Sequence, residues 1–147
     1  MAHRILLIDD DEAVLDVFQL LLTSRNYIVD CARDMKEAEE HLGQDHNKYS
    51  VVIADLCLTH GEMEGLQVLE YISRQPFKPR IVVCSGNANS DVREKVRIMG
   101  ADMFLTKPFI FKTFLEELGN LLNDALPPGA VQSVNNAGTS MRHAIDA

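Results

Sequence analysis

The chain has 147 residues, 46% of them hydrophobic and 24% charged, which fits one globular domain with a buried core and excludes a disordered chain. Fourteen lysines and arginines face 22 aspartates and glutamates, a net charge of -8, so the summed field repels phosphate backbones and anionic membrane surfaces. Direct nucleic-acid binding by this chain alone is not expected. The first apolar run, Ile5-Leu6-Leu7-Ile8, meets Asp9, Asp10, Asp11 and Glu12 at once. It is too short for a signal peptide or a membrane span and reads as a strand buried on both faces. Val14, Leu15, Phe18, Leu21 and Leu22 then repeat at helical spacing, with Asp11 placed to cap that helix.

A weaker strand signal spans Tyr27 to Ala32. Asp34 followed by Glu37 resembles a capping box opening a helix near 35–43. Val51-Val52-Ile53-Ala54 is the third strand candidate and closes on Asp55, and Leu66, Leu69 and Ile72 mark the helix after it. Ile81-Val82-Val83-Cys84 ends at Ser85, and Val92, Val96 and Met99 form the next stripe. Met103-Phe104-Leu105 leads to Lys107, and Phe111, Phe114, Leu115, Leu118, Leu121 and Leu122 form the last helix. Strand and helix therefore alternate five times, which predicts a doubly wound α/β fold with a five-stranded parallel sheet and right-handed crossovers. The domain is expected over residues 1–125. Residues 126–147, rich in Pro, Gly, Ala, Ser and Asn, are expected to be a flexible tail, either a native terminus or the start of a linker. Cys31, Cys57 and Cys84 lie in or beside apolar stretches without CxxC spacing, and they read as reduced buried thiols rather than a disulfide or zinc site.

In an open parallel sheet ligands bind beyond the carboxyl ends of the strands. Asp9 and Asp10, Asp55, Ser85 and Lys107 all fall there. Three ionised carboxylates in one small site repel one another and raise each other's pKa, so the site asks for a cation. A hard divalent ion such as Mg²⁺, held by one or two carboxylates with water and a phosphoryl oxygen, meets that need. Lys107 adds a second positive charge, and Ser85 can donate to a phosphoryl oxygen. Each member has a plain structural reading: the Asp9–Glu12 run as a solvated helix start, Lys107 before Pro108 as a strand terminus. Their combination in this order is what points to phosphoryl chemistry on a carboxylate.

Four segments carry a resemblance to the receiver domains of bacterial two-component response regulators: Ile5 to Glu12, Tyr49 to Leu56, Ile81 to Gly86, and Gly100 to Phe109. The resemblance covers residues 4 to about 125. It implies a flavodoxin-like, CheY-like sheet of order 2-1-3-4-5 with five helices. It also implies that Asp55 is the phosphoacceptor, that Asp10 and Asp55 ligate Mg²⁺ directly and Asp9 through water, and that Cys57 supplies a backbone carbonyl. Ser85 and Lys107 would bind the phosphoryl oxygens, with a cis peptide between Lys107 and Pro108. Phe104 falls at the switch aromatic, whose inward rotation alters the face of the fourth helix, fifth strand and fifth helix. The implied donor is a sensor histidine kinase or a histidine phosphotransfer protein, and the implied output is a downstream protein effector or an output domain lost from this chain. Homodimerisation through the switching face is a further outcome the family allows. The chain would be a cytoplasmic signalling phosphoprotein, not an enzyme with an external substrate.

The departures lie near the site. Leu58 to Gly65 reads Leu-Thr-His-Gly-Glu-Met-Glu-Gly, about two residues longer than the family's loop and without its usual proline. His60 in that loop reads as an exposed histidine before a metal ligand. Cys57 and Asn87 hold positions that in the family modulate access of the hydrolytic water. Ile110-Phe111 stands where a polar cap is usual and reads as core packing, with a partner surface as the alternative. Two other functions compete: a phosphorylation-independent interaction domain, against which the complete set of site residues argues, and an aspartate-nucleophile phosphohydrolase of the haloacid-dehalogenase type. The latter places an Asp-x-Asp motif on the first strand, whereas Asp55-Leu56-Cys57 lies on the third and lacks the second carboxylate. Nucleotide enzymes are weaker still, since neither GxGxxG nor GxxxxGK[ST] occurs. No DNA-binding, cyclase or kinase module fits after residue 125, so a stand-alone or an excised receiver is expected.

Overall fold

The computed structural model describes residues 3–44, 48–56, 62–76, 78–86, 90–123 and 132–134. Strands and helices alternate as β1 (Arg4–Ile8), α1 (Glu12–Thr23), β2 (Ile28–Ala32), α2 (Met35–Gln44), β3 (Val51–Asp55), α3 (Glu62–Ser73), β4 (Arg80–Ser85), α4 (Ser90–Ile98), β5 (Met103–Thr106) and α5 (Phe111–Asn123). These strands are all parallel in the order β2-β1-β3-β4-β5, the expected doubly wound arrangement.

The four unbroken apolar runs become strands because side chains alternate across a strand and both faces of this sheet are covered. On one face Leu6, Ile8, Val52, Ala54, Val83 and Phe104 pack with α2, α3 and α4. On the other Ile5, Leu7, Val51, Ile53, Val82 and Leu105 pack with α1 and α5. β2 gave the weakest signal because it is an edge strand, only Ala32 of it fully buried.

Asp11 caps α1 as its position suggests, accepting from the N–H groups of Ala13 at 2.9 Å and Val14 at 3.4 Å. After α1 the chain turns through Asn26, whose φ of 66° lies in the left-handed region that asparagine tolerates better than most residues. Asp34 caps α2 by accepting from Glu37 N–H at 2.9 Å, but the Glu37 carboxylate reaches Arg33 N–H at 2.8 Å, one residue short of a reciprocal box. The Ile110-Phe111 stretch divides. Phe111 packs edge-on against Phe18 and Phe109, with ring centroids 5.2 and 4.9 Å apart, while Ile110 stays 43% exposed.

The sheet has one strand more than the five expected. Gln132–Val134 forms β6, parallel to β5, with Met103 opposite Gln132, Phe104 opposite Ser133 and Leu105 opposite Val134. A three-residue strand is too short to leave a periodic signal, and what it satisfies is the row of backbone groups that an edge β5 would leave unpaired. Among the described residues of the expected tail, this strand is the only regular element.

Candidate functional site

The carboxyl ends of β1, β3, β4 and β5 bring the polar residues together. Asp9 follows β1, 3% exposed and fixed by its N–H bond to Ala32 O at 3.0 Å, while its Oδ1 accepts from Asp11 N–H at 2.9 Å. Asp55 closes β3 at 7% exposure and Ser85 closes β4, fully buried. Lys107 comes one residue after β5, and its N–H donates to Ser85 O at 2.9 Å, which ties the two strand ends together. The peptide from Lys107 to Pro108 is cis.

Lys107 Nζ donates to Asp55 Oδ2 at 3.0 Å and stands 3.5 Å from Asp9 Oδ2. One carboxylate oxygen from each of Asp9, Asp10 and Asp55 lies within 4.8 Å of the others, with Asp10 on the solvent side. Three carboxylates thus gather where Lys107 brings a single positive charge. Burial, reinforced by the charge of Asp55 and opposed by the Asp11 N–H and Lys107, pushes the Asp9 carboxyl up to about 6. Burial works against the Lys107 cation, but its hydrogen bond to Asp55 and the charges of Asp55 and Asp9 outweigh that and raise its pKa. An all-oxygen donor set that is half buried, over-charged and open on the Asp10 side suits a hard divalent cation, and Mg²⁺ fits it in chemistry.

Phe104 is fully buried and packs with Val96 and Ala101 on the α4 side of the sheet. The Arg93 guanidinium on α4 stands 5.4 Å from its ring centroid, a cation–π contact that sequence spacing alone could not show. Gly65, which the sequence marked only as the end of a long loop, has a specific task. A Cβ there would lie 2.5 Å from the Leu56 Cα and carbonyl oxygen, so only glycine lets α3 seat against the chain just past Asp55. Cys84 is buried beside the site, and desolvation pushes its thiol up, which agrees with the reading of a protonated core thiol. Cys31 is also a free thiol but only half-buried, which corrects the expectation of a buried one, because it stands on the edge strand β2. Cys57, His60 and Asn87 lie outside the described residues.

Residues 5–119 match the response regulator receiver domain family, and the chain belongs to it. It is 33% identical over 106 residues to the cell cycle transcriptional regulator CtrA of Caulobacter vibrioides, covering 72% of this chain and 44% of that protein. It is 31% identical over 106 residues to the transcriptional regulatory protein PmrA of Pectobacterium parmentieri, covering 72% of this chain and 46% of that one. The chain thus spans under half the length of these relatives. Among solved structures, the non-phosphorylated HemR receiver domain of Leptospira biflexa is 29% identical with a TM-score of 0.76, over 85% of this chain and 98% of that one. The chemotaxis response regulator CheY4 of Vibrio cholerae, 22% identical, has a TM-score of 0.73 over 82% and 99% of the two chains and shares the fold. The chain is therefore the receiver domain of a two-component response regulator, a signalling domain by family. No described helix is long and apolar enough to cross a membrane.

Proposed function

We propose that this chain is a cytoplasmic, phosphorylation-controlled switch in which Asp55 accepts a phosphoryl group from a sensor histidine kinase or a histidine phosphotransfer protein. The observation that carries the reading is the convergence of the Lys107 ammonium on Asp55 at 3.0 Å within an acidic triad at the carboxyl edge of the sheet. The Asp55 carboxylate oxygen attacks phosphorus, the donor's N–P bond breaks, and the histidine leaves with a proton on its imidazole. Lys107 offsets charge on the phosphoryl oxygens, and Ser85 donates to one of them. Asp9, Asp10 and Asp55, with the Cys57 carbonyl implied by the family, would hold Mg²⁺, which supplies positive charge to the carboxylates and to the incoming phosphoryl group.

Phe104, in the middle of β5 with its ring on the α4 side, couples the site to α4, β5 and α5, the face through which a downstream effector, an output domain or a second copy would be engaged. The test is intact mass after incubation with Mg²⁺ and acetyl phosphate, beside Asp55→Asn and a chelator control. The expected result is one phosphate adduct that needs Mg²⁺ and disappears in the variant. No adduct, with beryllofluoride also failing to bind, would instead favour a phosphorylation-independent interaction domain, and turnover of small phosphoesters would favour a phosphohydrolase.

A further inference from the structure

The short strand β6 sits on the same face of the domain that the proposed switch controls. Three features make it a weak and conditional part of the sheet. It pairs with β5 over only three residues, Gln132, Ser133 and Val134. It is reached through α5, which packs on the α1 face, whereas the crossovers that advance the sheet toward this edge, α3 and α4, run over the opposite face. The β5–α5–β6 connection is consequently left-handed, the sense that parallel strands avoid in all but about 2% of cases.

The third feature is its position. β6 lies directly opposite Phe104 and ends opposite Leu105, one residue before Thr106. Thr106 pairs with Ser85, and Lys107 N–H donates to Ser85 O at 2.9 Å. The residue that ends the β5–β6 pairing is therefore next to the strand end clamped to the site.

We infer that the outer edge of β5 is a strand-docking site and that its resident in the free chain is the chain's own segment 132–134, which blocks the α4–β5–α5 face until the site is loaded. The inference rests on the reading of Asp55 as phosphoacceptor for its trigger, but not for the docking itself. Loading the site moves Ser85 and Lys107, which shifts Thr106 and the end of β5. A three-residue parallel strand on a disfavoured crossover is released by a small displacement at its end. An extended partner segment can then add to the exposed edge.

Backbone hydrogen exchange on the 147-residue chain tests both parts. In a parallel ladder successive backbone N–H groups point to opposite sides, so Ser133→Pro with Val134→Pro removes one donor facing β5, and the matching alanine pair controls for the loss of the two side chains. The expected result is exchange of the β5 amides faster by on the order of tenfold in the double proline variant, and unchanged in Ser133→Ala with Val134→Ala, which keeps both donors. Unchanged β5 exchange in the proline variant overturns the docking. Protection that rises with protein concentration also overturns it, because the strand then comes from a second copy. For the trigger, Mg²⁺ and beryllofluoride on the unaltered chain should speed exchange at 132–134 several-fold, and unchanged or slower exchange overturns release. An Asp55 adduct by intact mass, measured separately, tells which claim has failed: adduct without release sinks only this inference, and no adduct sinks the trigger while the proline comparison still decides the docking.

Discussion

The two ends of the sheet treat buried carboxylates in opposite ways. On the amino-terminal side Asp102 is 6% exposed and fully answered: its Oδ2 accepts from the buried Ile81 N–H at 2.9 Å and its Oδ1 from Arg80 at 3.3 Å. Asp30, half-buried in the middle of β2, is answered as thoroughly by groups from the amino-terminal side, the Tyr49 hydroxyl at 2.7 Å, Arg4 at 3.2 Å and Lys48 at 3.5 Å. Burial opposes ionisation of Asp30, yet these partners outweigh it and hold its carboxyl below the usual range. At the carboxyl-terminal edge Asp9, Asp10 and Asp55 crowd around Lys107, and Asp9 is pushed up instead. Carboxylates that hold the fold together come with their cations built in. Those at the site outnumber the positive charge beside them, which is what a bound cation and a phosphoryl group can use.

Breaking the answered end should cost the most. Asp102→Ala strips a buried N–H and a guanidinium of their acceptor, and the urea midpoint should fall by the equivalent of about 2–4 kcal/mol. The same operation at the site should have the opposite sign: Asp9→Asn keeps an oxygen for Asp11 N–H but removes a charge, so without metal the protein should gain about 1–2 kcal/mol while Mg²⁺ binding, followed by titration calorimetry, weakens. Lys107→Ala removes the cation that touches Asp9 and Asp55. Because that side chain is 31% exposed and partly screened, the metal-free protein should lose only about 1 kcal/mol, read from the same urea titration.

The Asp9 effect can also be read against pH. Asp9 is raised from 3.8 to about 6 on folding, so the native state holds its proton more tightly than the unfolded chain does. Its contribution to stability is complete below about 4 and is lost as pH rises through 6. In chelator, the difference in melting temperature between the unaltered chain and Asp9→Asn should therefore widen, in favour of the variant, from pH 4 to pH 7. Mg²⁺ should narrow it at neutral pH, because the ion binds the ionised carboxylate.

Most of the architecture could be read from the sequence because a parallel sheet covered on both faces leaves a blunt signature. The runs ending at Ile8, Ala54, Cys84 and Leu105 are unbroken, and the polar residues just past each of them land on the functional edge. The convergence of Asp9, Asp55, Ser85 and Lys107 came from that rule and from the family resemblance together. Three things could not be read. Gly65 matters through the backbone of Leu56, a tertiary contact that no local pattern encodes. Arg93 lies eleven residues before Phe104, and only the packing of α4 against β5 places the cation over the ring. β6 owes its existence to an unpaired edge elsewhere in the chain, not to its own composition, so a run of polar and small residues concealed it.

The central claim is that the crowded carboxylates are a phosphorylation site with Asp55 as the nucleophile. Borohydride reduction of the chain after incubation with Mg²⁺ and acetyl phosphate, followed by peptide sequencing in the mass spectrometer, tests it at the level of the residue, since hydride converts an aspartyl phosphate to homoserine. Homoserine is expected at position 55 alone, and absent when Mg²⁺ is chelated. Conversion at Asp9 or Asp10, or none at Asp55 in a sample that carries the phosphate adduct, would contradict the claim.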